Sequence, residues 1–229
     1  LVLGCVIWLV VRDSPQEKGY TGFTKRISKP ASFSTKRIWQ DHFKIFKYRN
    51  IWLLFVIPGG IAGCILSFSG LWGVPYLISH HGLSPARAAS LTSVLLIAWA
   101  IGSPFFGWLS DHLRKRKSLY LVGTMVVALG WSLILFRESL SFFQLIMALF
   151  VTGFFSGCII ISFAFVMESV PLSLSGTAAG LTNMGVMMGP MLLQPFVGRI
   201  LDYHWTGQMV QGVRIYSLDA YEFGFIPMM

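Results

Sequence analysis

The sequence predicts an all-α fold, a polytopic membrane helical bundle, on three observations. Of its 229 residues, 55% are hydrophobic and 12% charged, with a mean hydropathy of +0.67, which is too apolar and too charge-poor for an ordinary globular domain. Five stretches carry no Asp, Glu, Lys or Arg: Ile51 to Ala86, Ala88 to Ser110, Ser118 to Phe136, Ser139 to Met167 and Ser169 to Gly198. Each can supply the roughly 20 residues that a helix needs to cross the hydrocarbon. None shows the strict alternation of a barrel strand, and Gly and Pro interrupt them as bundled transmembrane helices tolerate.

Taken in order, the elements begin with an apolar run, Leu1 to Val11. It is too short to span and lacks the basic leader and cleavage pattern of a signal peptide, so it reads as the end of a longer helix. The segment from Arg12 to Asn50 is basic and contains Pro15 and Pro30, and its first part reads as a solvated linker. Over 35–48, Ile38, Trp39, His42, Phe43, Ile45 and Phe46 share one side of a helical wheel. Lys36, Arg37, Gln40, Asp41, Lys44 and Lys47 take the other. This amphipathic helix is expected either to lie at the membrane interface with its cations at anionic headgroups or to pack beneath the bundle. Full helices are expected at 51–79, 89–110, 118–136, 142–168 and 177–199, with a sixth starting near Tyr221. The closing run Phe223 to Met229 reads as a helix cut short, so the expectation is a fragment truncated at both ends.

The net charge of +9 is not a nucleic-acid footprint, because the cations are not spread over one soluble face. Ten of the 18 lie between Arg12 and Arg49, and four form the run Arg114, Lys115, Arg116 and Lys117. Basic excess marks cytoplasmic loops. Placing Arg12 to Arg49 inside returns Arg114 to Lys117 to the inside after two helices, so two clusters agree on one topology. Cys5, Cys64 and Cys158 fall in apolar segments, where a cysteine acts as a small buried hydrophobe. His80 and His81 lack further ligands at a metal spacing, so no metal site and no cofactor is expected.

Directly after the second full helix stands Gly107-Trp108-Leu109-Ser110-Asp111-His112-Leu113-Arg114-Lys115-Arg116-Lys117. A glycine here would let two helices approach closely, and the aspartate could accept hydrogen bonds from the start of a neighbouring helix. The cations would hold the turn at the headgroup level. A second stretch, Glu168-Ser169-Val170-Pro171-Leu172-Ser173-Leu174-Ser175-Gly176-Thr177-Ala178-Ala179-Gly180, places a carboxylate at a helix's C-terminal end, which the macrodipole disfavours unless a cation is near. Glu168 is therefore expected either to pair with the basic run 114–117 or to reach into water.

These two stretches resemble signature motifs of the major facilitator superfamily (MFS). The first is similar to the loop Gly-x-Leu-Ser/Ala-Asp-Arg-x-Gly plus Arg/Lys residues, and the second to Glu-x-x-Pro-x-x-x-Arg-Gly-x-x-x-Gly. His112 stands in place of the usual arginine, Arg114 in place of the second glycine, and Ser175 where arginine is common. The resemblance implies the C-terminal six-helix half of such a transporter. It assigns 1–11 to the end of transmembrane helix 6, 12–49 to a cytoplasmic basic loop, and 50–229 to helices 7 to 11 and the start of 12. It implies a conformational latch built from Gly107, Asp111, Arg114, Lys115, Arg116, Glu168 and Gly176. The implied partners are the N-terminal half of the same transporter, the lipid bilayer and a small-molecule solute, in a bacterial inner membrane. No nucleic-acid partner is expected.

Family analogy places the solute near the midplane between the two halves. Candidates for that cavity are Ser67, Ser69 and Trp72 on the first full helix, Trp99 on the second, Ser156 and Ser162 on the fourth, and Asn183 and Gln194 on the fifth. Each also has a packing or interfacial reading. No helix carries Asp, Glu, Lys or Arg at mid-depth. A proton-coupled mechanism would therefore take its titrating group from outside these five helices. Gly59, Gly60, Gly63, Gly153 and Gly157 have spacings that permit tight crossings, and Gly185, Gly189 and Pro190 would serve either bending or packing.

The expected function is secondary active transport of a small solute by alternating access. A transport-inactive receptor or scaffold of the same fold is the alternative. An intramembrane enzyme is not expected, since no catalytic constellation shares a depth. The runs Gly70 to Leu77 and Ala98 to Gly102 are loosely similar to bacterial relatives of the lysosomal dipeptide transporter, which favours peptides or amino acids as the solute.

Overall fold

The computed structural model describes residues 43–137, 140–210 and 212–228, together with Trp8, Val10 and Gly19. The chain divides into two units, Leu1–Trp39 and Gln40–Met229. In the first, Trp8 and Val10 are helical and Gly19 sits in a turn at φ +79°. The expected linker, and the amphipathic helix before residue 43, lie outside the described residues. In the second unit, 43–45 are helical. The chain then turns, with the Lys47 and Tyr48 N–H groups donating to the Lys44 and Ile45 carbonyls at 3.2 and 3.1 Å. The helix expected to reach Tyr48 thus ends at Ile45.

The second unit is helical almost throughout. Its first span is α1 (Arg49–Ser67), a π-helical turn (Phe68–Trp72) and α2 (Gly73–His81) in unbroken succession. Then follow α3 (Pro85–Leu113), α4 (Arg116–Phe136), α5 (Phe142–Ser156) and α6 (Ile159–Glu168). A 3-10 turn, Leu172–Leu174, leads into α7 (Ser175–Tyr203). A two-stranded hairpin, β1 (Met209–Val210) and β2 (Val213–Arg214), pairs Met209 with Arg214 and Val210 with Val213. It precedes α8 (Leu218–Phe225) and a final 3-10 turn. Five helical stretches are long and apolar enough to cross a membrane: Arg49–His81, Pro85–Leu113, Arg116–Phe136, Phe142–Glu168 and Leu172–Tyr203. They coincide with the five expected helices, each as long or longer.

The extra length comes from local stop and start signals. Gly82 adopts φ +60° and its N–H returns to the Leu77 carbonyl, closing α2 in the left-handed conformation that glycine takes without a Cβ penalty. Ser84 then caps α3, accepting from the Arg87 N–H at 3.4 Å, with Pro85 in the first turn. The expected loop 80–88 shrinks to three residues. Ser141 and Gln144 form a reciprocal capping box at the start of α5, and Ser217 caps α8.

Two glycine-lined crossings hold the spans together. Where α1 meets α7, a Cβ added at Gly59 would lie 2.5 Å from the Gly185 carbonyl oxygen, and one at Gly63 would lie 3.1 Å from the Gly189 carbonyl carbon. Cβ atoms on Gly185 and Gly189 would strike the backbones of Phe55 and Gly59. Where α3 meets α5, Gly102 and Gly153 stand against the backbones of Phe154 and Leu95, and Gly157 against Gly102 and Ser103. At Gly157 the ladder tightens: the Gly157 and Cys158 N–H groups reach back only three residues, to Phe154 and Phe155, and this divides the fourth span into α5 and α6. Gly185 and Gly189 are packing residues, and α7 runs through them and Pro190 as one helix.

An aromatic core joins the first span to α4 and α8. Phe68 packs edge-on against Trp131 at 5.2 Å, and Phe225 lies 5.5 Å from Tyr76 and 5.4 Å from Tyr221. Outward faces are apolar: Leu129 is 69% exposed and Met191 71%.

In the full chain in detergent, G189A is expected to cost about 1–3 kcal/mol or more, the cost of overpacking, read as a lower thermal unfolding midpoint. G180A, where an added Cβ meets nothing within 4 Å, is expected to stay within about 0.5 kcal/mol of the parent or to rise.

Candidate functional site

The residues of the first motif fold into a turn between α3 and α4, and their chemistry centres on Arg116. Its Nε donates to Glu168 Oε2 at 2.7 Å and its Nη2 to Glu168 Oε1 at 2.6 Å, a bidentate fork matched to carboxylate geometry. Nη1 donates to Asp111 Oδ1 at 3.0 Å and to Ser110 Oγ at 2.8 Å. One guanidinium at the start of α4 therefore ties the end of α3 to the end of α6. Next to it, the Asn50 side chain donates to Ser169 Oγ at 3.2 Å, bringing the start of α1 to the same place. Four spans meet at the end of the bundle that carries the basic run.

Glu168 closes α6, where the carbonyl end of the helix repels a carboxylate, and Arg116 supplies the compensating charge. The arginine side chain is 20% exposed, whereas Asp111 and Glu168 are 71% and 58% exposed. Solvent screening holds each pair to about 1 kcal/mol. The clamp is geometrically specific and energetically modest.

The departures from the family motif have physical counterparts. Arg114 is the C-cap of α3 at φ 52°, ψ 29°, the one non-glycine positive φ among the described residues, at the position where the motif has glycine. His112 stacks on Trp108, with ring centroids 5.6 Å apart and planes 13° apart. Ser175 donates to the Leu172 carbonyl at 2.9 Å, holding the turn into α7.

Of the residues expected to form a latch, Asp111, Arg116 and Glu168 come together, and sequence reasoning missed their neighbours Ser110, Asn50 and Ser169. Arg114 shapes the turn backbone, and Lys115 precedes α4 without a side-chain cap bond. Gly107 was expected to permit close helix approach, but an added Cβ there would lie an ordinary 3.8 Å from Ile160 Cγ2, and one at Gly176 would meet nothing within 4 Å. Neither glycine is a close-contact point within the described residues.

The candidate cavity residues do not gather at one place. Trp72 and Gln194 do meet: Trp72 Nε1 donates to the Gln194 backbone carbonyl at 3.2 Å, and Gln194 Nε2 donates to the Leu66 carbonyl at 3.2 Å. They bridge the π-helical turn of the first span to α7. Ser69, Ser156 and Ser162 donate to carbonyls of their own helices at 2.7, 2.7 and 2.6 Å, the usual resort of a hydroxyl in an apolar helix. Ser156 and Ser162 are fully buried. Ser67 Oγ and Trp99 Nε1 are buried without a hydrogen-bond partner among the described residues, and Asn183 is exposed on α7. A cavity of about 690 Å³ between α1 and α7 is lined by Phe55, Gly60, Met188 and Arg199, among others, and by none of the eight candidates. No group of three or more His, Cys, Asp or Glu that could hold a metal ion occurs among the described residues.

At the opposite end of the bundle, Asp202 Oδ1 accepts from Arg214 at 2.6 Å and from the Tyr216 hydroxyl at 2.7 Å, and Arg214 lies 4.6 Å over the Trp205 ring. The pairing with Asp202 raises the Arg214 pKa further. Burial raises that of Tyr216, and its hydrogen bond to Asp202 adds to the rise. The hairpin is pinned in this way to the end of α7.

A bundle of five helical stretches long and apolar enough to cross a membrane, crossing at glycines, with a charge-clamped turn between its second and third spans, defines a multi-pass integral membrane protein. The chain belongs to the Major Facilitator Superfamily, whose family model matches residues 1–193. It is 26% identical over 156 residues to a multidrug resistance protein, MdtG, of Klebsiella pneumoniae, covering 67% of this chain and 36% of that protein. It is 29% identical to monocarboxylate transporter 12 of Xenopus laevis, covering 71% and 33%. It is 26% identical to the lysosomal dipeptide transporter MFSD1 of Danio rerio, covering 59% and 26%. The chain spans about a third of the length of these curated relatives.

Two measurements test the turn. A double-mutant cycle of R116Q with E168Q, read by thermal unfolding of the full chain, is expected to give a coupling of about 1 kcal/mol. R114G is expected to raise stability by up to about 1 kcal/mol, because it relieves a left-handed non-glycine residue; a loss on that substitution would mean the Arg114 side chain contributes more than its backbone costs.

Proposed function

We propose that this chain is the C-terminal six-helix half of a secondary active transporter that moves a small solute by alternating access, together with an N-terminal half of the same transporter. The single observation that carries the reading is the Arg116 clamp. Alternating access needs contacts that hold the helix ends in one state and release them in the other at small cost, since a few kcal/mol decide the populations of two states. A bidentate but solvent-screened arginine, shared between two carboxylates on different spans, has that character. Its basic surroundings support a cytoplasmic location.

The relatives' names cover multidrug resistance, monocarboxylate transport and dipeptide transport, so the solute class is small and organic. We favour peptides or amino acids, on the resemblance of Gly70 to Leu77 and Ala98 to Gly102 and on the dipeptide transporter among the relatives. The solute contacts we propose on this half are Trp72 and Gln194, which bridge two spans, with Asn183 and the unpaired polar atoms of Ser67 and Trp99. A proton-coupled cycle would draw its titrating carboxylate from the other half. A bacterial inner membrane is the proposed location, with MdtG relatives in support.

In proteoliposomes holding the complete transporter, D111N and R116Q are expected to reduce solute flux sharply while insertion and folding persist. Full flux in both variants would remove the clamp from the cycle and shift weight to a transport-inactive receptor or scaffold. A cysteine at Gln40 (Q40C) is expected to react only with reagent on the cytoplasmic side. A thermal-shift screen of dipeptides, amino acids, sugars, monocarboxylates and drugs is expected to show a saturable rise for one class, about 2.7 kcal/mol at a hundredfold excess over Kd.

A further inference from the structure

Beyond the clamp and the solute candidates, a crevice of about 460 Å³ opens between α4 and α5. Its walls are apolar, formed by Leu129 and Leu133 on α4 and by Met147 and Val151 on α5, and its polar lining is Arg137 and Gln144. It runs from Val126, past Gly130, where the absent Cβ lets α4 settle against Thr152 Oγ1, to the helix ends opposite the Arg116 clamp. From Val126 to Arg137 the α4 wall covers eleven residues of helix, and at about 1.5 Å each they make it roughly 16 Å deep, about one leaflet's hydrocarbon. Leu129 and Phe143 on its rims are 69% and 68% exposed.

The chemistry of the mouth differs from that of the walls. Arg137 is exposed at the end of α4 and, among the described residues, is the one ionised side chain lining the crevice. Gln144 Oε1 accepts from the Ser141 N–H at 3.0 Å, which leaves the amide NH2 as a donor. The positive end of the α5 dipole faces the same level. An apolar slot within one leaflet, ending on a guanidinium at headgroup depth, is complementary to an amphiphile with an anionic head. A water-soluble anion would gain nothing from the walls, and a neutral chain nothing from the arginine.

We propose that this crevice is a phospholipid site, holding one acyl chain against Leu133 and Met147 with the lipid phosphate paired to Arg137 and with selectivity for anionic headgroups. The inference rests on membrane insertion alone and is independent of whether the protein transports. Guanidinium–phosphate pairing is bidentate and charge-assisted, and one basic residue near an anionic surface corresponds to about a fivefold preference.

The test is native mass spectrometry of the full chain in detergent, titrated with phosphatidylglycerol and with phosphatidylcholine. The expected result is one tightly retained lipid, with phosphatidylglycerol held about fivefold better. R137Q abolishes that preference and R87Q, at the same end of the bundle on α3, preserves it. L133W, which fills the slot, reduces retention of both lipids, and a preserved unfolding midpoint separates this from misfolding. A spin label on M147C in bilayers is expected to be accessible to lipid-phase oxygen. Equal retention of the two lipids by the parent, or an unchanged preference in R137Q, would overturn the site. A label shielded from the lipid phase would assign the crevice to another protein segment instead.

Discussion

The structure depends on backbone meeting backbone at glycine. In a bilayer the apolar side chains of a helix gain little by leaving lipid for another helix, so association rests on close packing. The α1–α7 and α3–α5 crossings supply it: Gly59 and Gly63 lie against Gly185 and Gly189, and Gly102 lies against Phe154 and Gly157. Each crossing joins spans distant in sequence, so the two fix the topology of the bundle. The tightened turn at Gly157, which divides the fourth span, is a local accommodation to the same constraint.

On that scaffold the charged end is organised by one side chain. Close crossings bring the ends of α3 and α6 and the start of α4 within reach of a single guanidinium, and Arg116 takes both Asp111 and Glu168. The arrangement answers the electrostatic problem of a carboxylate at a helix C-terminus while keeping both acids largely in water. The opposite end is organised differently: Asp202 gathers Arg214 and Tyr216, while deeper in the spans Trp72 and Gln194 donate to backbone carbonyls across two of them. Helices thus connect two polar ends through an interior that holds no buried ionised side chain among the described residues.

Much of this was legible in the sequence. Charge-free stretches located five spans, because a helix in hydrocarbon must keep its backbone bonds internal and its surface apolar. Glu168 could be linked to the basic run because its position at a helix end demanded a cation. The glycines were less legible. The motif points to Gly107 as a close-contact residue, whereas among the described residues Gly102, five residues earlier, makes the contact. Ser69, Ser156 and Ser162 are candidate solute contacts by depth, and each hydroxyl donates to its own helix. Spacing places a residue at a depth but does not say which neighbour its polar atom meets.

By itself, then, the sequence determined the class of fold, the spans and the basic turn, since these follow from local composition against the fixed thickness and low polarity of the membrane. The tertiary structure alone decided which of four consecutive cations is the clamp, which glycines carry the crossings, and that Arg114 holds a left-handed backbone. Those outcomes depend on the rotation and approach of helices far apart in the chain. Rotation about a helix axis is set by packing, which no window of sequence contains.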